Sequence, residues 1–190
     1  DDGEFIPRKT AWQLPAVNYT HKPQIKYRGF HLCGDWRDVE NFRLWMARNF
    51  INIHRHAQAH KTWLKYGLHF MISDHNARLP KALFDTNPEY FAEIKGKRVA
   101  SQPCYSNPEA EKLMLDNFIK TMEKYPDLEI LGIFPPDSMD YCECVKCKEK
   151  GTSTAWFDFY NRLTDQLKER YPRLKFATIA YQGYIDIPAN

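Results

Sequence analysis

Short apolar, β-rich runs alternate along the chain with stretches of helical periodicity, and this alternation restricts the fold more than any other feature of the sequence. The runs are "QIKYRGFHL", "FINIHRH", the segment from Leu68 to Ser73, "LEILGIF" and "LKFATIAY". Between the first two, Val39, Phe42, Met46 and Phe50 follow Asp38 at helical spacing, and Asp is a good N-cap. A short helix stopped by Gly67 precedes the third run. Before the fourth, Asn107 caps a helix that has Pro108 at its first position and Met114, Leu115, Phe118, Ile119 and Met122 as its apolar stripe. Before the fifth, "TSTAWFDFYNRLTDQLKERYP" places Trp156, Phe159, Leu163 and Leu167 on one face.

Five strands alternating with helices predict an α/β fold built on a parallel sheet with right-handed crossovers. Two architectures compete. A five-stranded doubly wound sheet closes within 190 residues, whereas a complete (β/α)8 TIM-type barrel takes about 250. Read as a parallel (β/α)8 barrel, the chain holds about its first five β/α units, in residues 25–190. Residues 1–24 carry Pro7, Pro15 and Pro23 without periodicity, so they read as an extended lead-in, or a linker from a preceding domain. The stretch from His75 to Ser106 is too long for an ordinary connection and reads as a candidate binding loop.

Composition removes several function classes. With 43% hydrophobic and 15% aromatic residues the chain can bury a core. A net charge of +3, from 27 basic and 24 acidic residues scattered along the sequence, makes no cationic field suited to nucleic acid. No apolar run approaches the roughly 20 residues that span a bilayer. The opening "DDGEFIPRKT" lacks the features of a signal peptide, so the expectation is a mature chain or one whose true start lies upstream.

In either architecture function gathers at the C-terminal ends of the strands. Those ends carry Arg28, His31 and Asp35, then His54 and His56, then Asp74, His75 and Asn76, then Asp137 and Asp140, and finally Tyr181 and Gln182. Carboxylates supply acid, base or charge stabilisation, and His, Arg, Asn and Tyr hydrogen-bond hydroxyls or stack on sugar faces, so the rim suits a carbohydrate. Plainer readings stand beside these. Arg28 could close the sheet through an ion pair, His54 and His56 could line a polar pocket or join a metal site, Asp137 could cap a turn, and Asp140 could be solvent-exposed.

The five cysteines are Cys33, Cys104, Cys142, Cys144 and Cys147, an odd number with three close together, which suits a metal better than a disulfide framework. In "CECVKC" three thiolates can converge on one zinc ion. Cys104 or a nearby histidine would complete a closed structural site that staples the loop carrying Asp137; disulfides and free thiols are the alternatives.

The segments "YRGFH", "TNPEYFAEIKGKR", "QPCYSNPEAEKLM", "PPDSMDYCECVKC" and "IAYQGY", in this order from about Arg28 through Tyr181, resemble a glycoside-hydrolase-like domain of gut bacteria catalogued as a domain of unknown function. Some members are assigned to glycoside hydrolase family 163, the endo-β-N-acetylglucosaminidases. The resemblance implies a (β/α)8 barrel in a secreted or surface enzyme that hydrolyses glycans containing N-acetylhexosamine. In related hexosaminidase barrels an acidic pair ends the fourth strand, one carboxylate orienting the substrate acetamido group and its neighbour serving as general acid. Asp137 falls in the first place, and Ser138 stands in the second, which leaves Asp140 or a residue beyond Asn190 as proton donor. Arg28, His31, His54, His56, His75 and Tyr181 are then the expected sugar contacts. A non-catalytic carbohydrate-binding domain and a zinc-stapled interaction domain are the rival functions.

Overall fold

A computed structural model describes residues 10, 11, 13, 15–20, 22–29, 40–54 and 64–189. The described residues of the lead-in are exposed and belong to no helix or strand. Helix α1 spans Glu40–Arg48, and strand β1 is Ile53–His54. After a helical turn that ends at Gly67, with φ 72°, strand β2 runs His69–Asp74. Strands β3 (Phe91–Ile94) and β4 (Lys97–Pro103) follow, then α2 (Pro108–Lys124), β5 (Ile130–Ile133), α3 (Val145–Lys150), α4 (Thr152–Arg170) and β6 (Lys175–Ala177).

Four strands form a parallel sheet in the order β1-β2-β5-β6. Gly29 adds a parallel bridge to Ile53 on the outer side of β1. Every crossover therefore steps the same way across the sheet, and the reversal that defines a doubly wound sheet is absent from the described strands. This is a singly wound sheet of mixed α/β architecture. The described strands form an open parallel sheet, and the barrel of which the chain was expected to hold about five units is not seen among them.

The helices follow their stripes. Asn107 Oδ1 accepts from the N–H groups of Glu109 and Ala110 at 2.9 and 3.0 Å, the expected cap of α2, and Ala110, Met114, Phe118 and Met122 are buried below it. On α4, Trp156, Phe159, Leu163 and Leu167 are fully buried in the same core as Phe70, Leu131 and Ile133 of the sheet. All four residues of β5 are buried, as a central parallel strand covered on both faces requires. Gly132 within it pairs with Ser73, and a Cβ there would lie 2.3 Å from the Ser73 Cβ.

Three expectations need correction. The described part of the run "QIKYRGFHL" is not a continuous strand: residues 24–26 form bends, and of residues 24–29 only Gly29 bridges the sheet. Phe50 does not extend the α1 stripe; it takes φ 58° and is exposed. Ile51 N–H donates to Met46 O at 2.9 Å and Phe50 N–H to Ala47 O at 3.3 Å, a Schellman ending whose left-handed residue turns away from the core. The third correction is the stretch 75–106, which is no loop. It carries two 3-10 turns and the antiparallel hairpin β3–β4, closed by Lys95 and Gly96 with φ of 49° and 75°. Two residues of positive φ are the type I′ turn that fits the twist of paired strands.

Candidate functional site

Three strand ends supply one polar group on the C-terminal edge of the sheet. Asp74 closes β2, and its Oδ1 accepts from the His75 N–H at 2.8 Å. His75 Nδ1 is hydrogen-bonded to the Pro135 carbonyl oxygen beyond β5. A carbonyl only accepts, so Nδ1 carries the proton and Nε2 is left to face a ligand. The His75 ring lies 5.8 Å from that of Tyr181, which follows β6. Asn76 ties the first two strand ends together: its Nδ2 donates to Gly132 O at 2.8 Å and its Oδ1 accepts from Phe134 N–H at 3.2 Å.

Asp137 is the centre of the group. The buried pair Pro135 and Pro136 leads the chain out of β5, and Asp137 emerges exposed. Its Oδ1 accepts from the Tyr181 hydroxyl at 3.0 Å and from Gln182 Nε2 at 3.1 Å. Successive side chains of an extended segment point to opposite faces, so two neighbours on one oxygen need a break in the backbone. Gln182 supplies it with φ 50°, a left-handed value uncommon outside glycine. The hydrogen bond to the Asp137 carboxylate pushes the Tyr181 phenol above its ordinary pKa.

The loop beyond Asp137 is braced from the hairpin side. Gln102 on β4, buried at 2% exposure, donates from Nε2 to Ser138 O at 2.8 Å and accepts from the Tyr184 hydroxyl at 2.7 Å. Tyr141 stands edge-on to Tyr184, with ring centroids 5.1 Å apart, and its hydroxyl accepts from Gly183 N–H at 2.7 Å. Asp140 is exposed, and its N–H donates to Ser138 Oγ at 3.2 Å.

The cysteines form a second centre beneath this loop. The sulfurs of Cys104, Cys142, Cys144 and Cys147 all lie within 4.8 Å of one another, and none is in a disulfide. Cys104 Sγ is 3.7 Å from Cys144 Sγ and 3.9 Å from Cys147 Sγ. Four sulfurs placed tetrahedrally at about 2.3 Å from one ion stand about 3.8 Å apart, so this spacing fits a metal. Cys142 also accepts from Glu93 N–H at 3.4 Å. As thiols Cys104, Cys142 and Cys147 compete for protons: hydrogen bonds from Cys104 and Cys147 lower the Cys142 pKa, and the contact with Cys142 raises that of Cys104 to about 11. Cys104, from the end of the hairpin, takes the fourth position, where a histidine was the alternative. The cluster thereby joins the hairpin unit to the loop that follows β5.

The other expected contacts fall elsewhere. The Arg28 guanidinium donates to Phe50 O at 2.7 Å through Nε and also bonds Ile25 O, where the strands begin, on the edge opposite Asp137. It makes carbonyl contacts there, and among the described residues it forms no sheet-closing ion pair, its plainer reading. His31, Asp35 and His56 lie outside the described residues, as does Cys33. His54 lies in β1, with only its backbone described. Sequence reasoning missed the bracing residues Gln102, Tyr141 and Tyr184. All three lie inside motifs already singled out, but nothing in their spacing announced a cross-loop contact.

A family described as "Domain of unknown function (DUF4838)" matches residues 1–190. No curated protein matches the chain. Among solved structures, the GH36 alpha-galactosidase AgaA from Geobacillus stearothermophilus is similar with a TM-score of 0.53 and 12% identity, over 77% of this chain and 26% of that one. The alpha-galactosidase from Lactobacillus brevis gives 0.47 and 12%, over 66% and 18%. The beta-galactosidase from Bacillus circulans sp. alkalophilus gives 0.36 and 11%, over 81% and 27%. The chain thus spans 18 to 27% of the length of these solved relatives. At such identities the first likeness speaks for the fold alone, and the two weaker ones carry no argument. The fold is similar to the part of the GH36 alpha-galactosidase AgaA that this chain covers, and none of the three structures is described as an endo-β-N-acetylglucosaminidase.

Proposed function

The chain belongs to the family of domains of unknown function described as DUF4838, and from that premise we propose that it forms part of a glycoside hydrolase whose working carboxylate is Asp137. The observation that carries this reading is the placement of Asp137: an exposed carboxylate on the C-terminal edge of a parallel sheet, with Oδ1 held by Tyr181 and Gln182. Two donors on one oxygen hold the Asp137 carboxylate in one orientation, which is what charge stabilisation at a sugar centre needs. His75 and the half-exposed Tyr181 offer a polar nitrogen and a ring beside it, suited to hydroxyls and to a sugar face. Asp140, two residues past Ser138, is the proton donor in this reading.

The substrate is a glycan containing N-acetylhexosamine, cleaved in the manner of an endo-β-N-acetylglucosaminidase, and support for this comes from the ordered motifs rather than from the fold. The acetamido group then attacks the anomeric carbon while Asp137 orients it and stabilises its charge, and Asp140 protonates the leaving oxygen. An enzyme with such substrates works outside the cytoplasm, as a secreted or surface protein. Among the described residues no helix is long and apolar enough to cross a membrane.

The test is turnover of N-glycoproteins, and of galactosides as the competing class, by the full-length protein and its Asp137→Asn variant. Hydrolysis of the N-glycoprotein should fall about 100-fold or more in the variant, with glycan retained. Equal rates would reduce Asp137 to a turn cap. Binding without turnover by either protein would favour the carbohydrate-binding domain, for which Ser138 in the place of the second acid already speaks.

The four cysteines hold one structural zinc ion in this reading. With every position filled by sulfur, no site remains for a catalytic water. Purified protein should contain about one zinc per chain, and cobalt replacement should give thiolate charge-transfer absorption. Metal-free protein with defined disulfides would contradict it.

A further inference from the structure

We propose that Gln102 is a positioning residue for Asp137, its one amide bridging the loop that carries the carboxylate and the turn that carries the carboxylate's two donors. The inference rests on the reading of Asp137 as the working group. Gln102 comes from the hairpin, outside the parallel sheet, and is nevertheless buried at 2% exposure. Glutamine is seldom buried so fully without partners that justify it. Its two partners lie on different segments. Nε2 donates to the carbonyl of Ser138, the residue after Asp137, and Oε1 accepts from the hydroxyl of Tyr184, two residues past Gln182.

A residue serving only to fill the core would not need to pair both segments at once. Tyr141 reinforces the same junction, since its hydroxyl accepts from Gly183 N–H at 2.7 Å and a Cβ on Gly183 would meet the ring at 2.4 Å. The two segments are thus pinned together below the surface at two points. The exposed contacts of Asp137 with Tyr181 and Gln182 form the third point, at the surface. An exposed hydrogen bond is weak by itself, because both partners can turn to water. Here the buried bridge fixes the spacing at which the exposed contacts close.

The bridge makes a substrate-free prediction, because Tyr181 titrates high chiefly through the hydrogen bond it donates to Asp137. The protein labelled with 13C at tyrosine Cζ would be titrated by NMR, with Tyr181→Phe assigning the signal. In the parent, Tyr181 should ionise above the ordinary value of about 10. In Gln102→Met, and in Gln102→Met/Tyr184→Phe, which removes the buried Tyr184 hydroxyl together with its acceptor and leaves only the Ser138 carbonyl without its donor, Tyr181 should return toward that value. Tyr160, pushed up to about 12 by burial, should not move and so reports that the core is intact. An unchanged Tyr181 in the folded double variant overturns the proposal. Turnover separates the two claims: if Asp137→Asn is inactive while Gln102→Met keeps the parent rate, the positioning role falls and the catalytic reading stands. If Asp137→Asn keeps the parent rate, the catalytic reading falls and the titration alone decides the bridge.

Discussion

Asn76 does with a side chain what a strand does with its backbone. By pairing with both Gly132 O and Phe134 N–H it carries the β2–β5 ladder one step past the end of β2, and so fixes the level at which His75 and Pro135 meet. Asn76→Ala would leave the Phe134 N–H of the buried stretch 132–134 without its partner, a cost of about 1–3 kcal/mol. Urea unfolding should show that loss, and a change under about 0.5 kcal/mol would mean that water replaces the amide. His75→Ala, by contrast, should weaken glycan binding with little change in thermal stability, because its ring is half-exposed and makes one backbone hydrogen bond. At this scale the sequence was legible where chemistry is rare. Four cysteines could be placed together because few structures other than a metal site call for them, and Asp137 stood out after two prolines. Gln102 was not legible, since a glutamine in a polar strand reads as exposed, and only the fold sends it inward.

Elements with a long stripe were the most legible. Helix α4 buries all four residues that its spacing singles out, and α2 buries Met114, Phe118 and Met122 while Leu115 and Ile119 pack half-buried at the edge, because one turn of periodicity repeated four or five times leaves a single face for the core. Short elements behaved otherwise. In β4 the burial sequence does not alternate, and a bulge between Phe91 and Ala92 shifts the register of its partner, so period-2 reasoning had nothing to find in the hairpin. The remaining signal was the Lys95-Gly96 pair between matched runs. Gly96→Val forces a β-branched residue to φ 75° and should destabilise the protein by about 1–2 kcal/mol, whereas Lys95→Asn, at a position that tolerates left-handed backbone, should be neutral or mildly stabilising. Thermal denaturation of the two variants checks this. Equal loss in both would argue against a type I′ turn.

The whole molecule combines a sheet whose parallel direction reads correctly from sequence with a strand order that only the structure supplies. Local periodicity specifies strands and crossovers, but it says nothing about whether the edges meet. The cysteine cluster matters most at this scale, because Cys104 and the group Cys142, Cys144 and Cys147 lie about forty residues apart and join the hairpin unit to the β5–α4 connection. Ligand thiols bind metal only when deprotonated, so acidification as well as chelation should release zinc. Melting temperature should fall with either treatment and recover on adding zinc at neutral pH. A melting temperature indifferent to chelator and zinc would leave the cluster without a metal. The central claim, that the strand ends around Asp137 form a glycan site, is tested most directly by hydrogen–deuterium exchange of the protein with and without an N-glycan. The account predicts protection concentrated in residues 74–76, 135–141 and 181–184. Protection elsewhere, or none at saturating glycan, would contradict it.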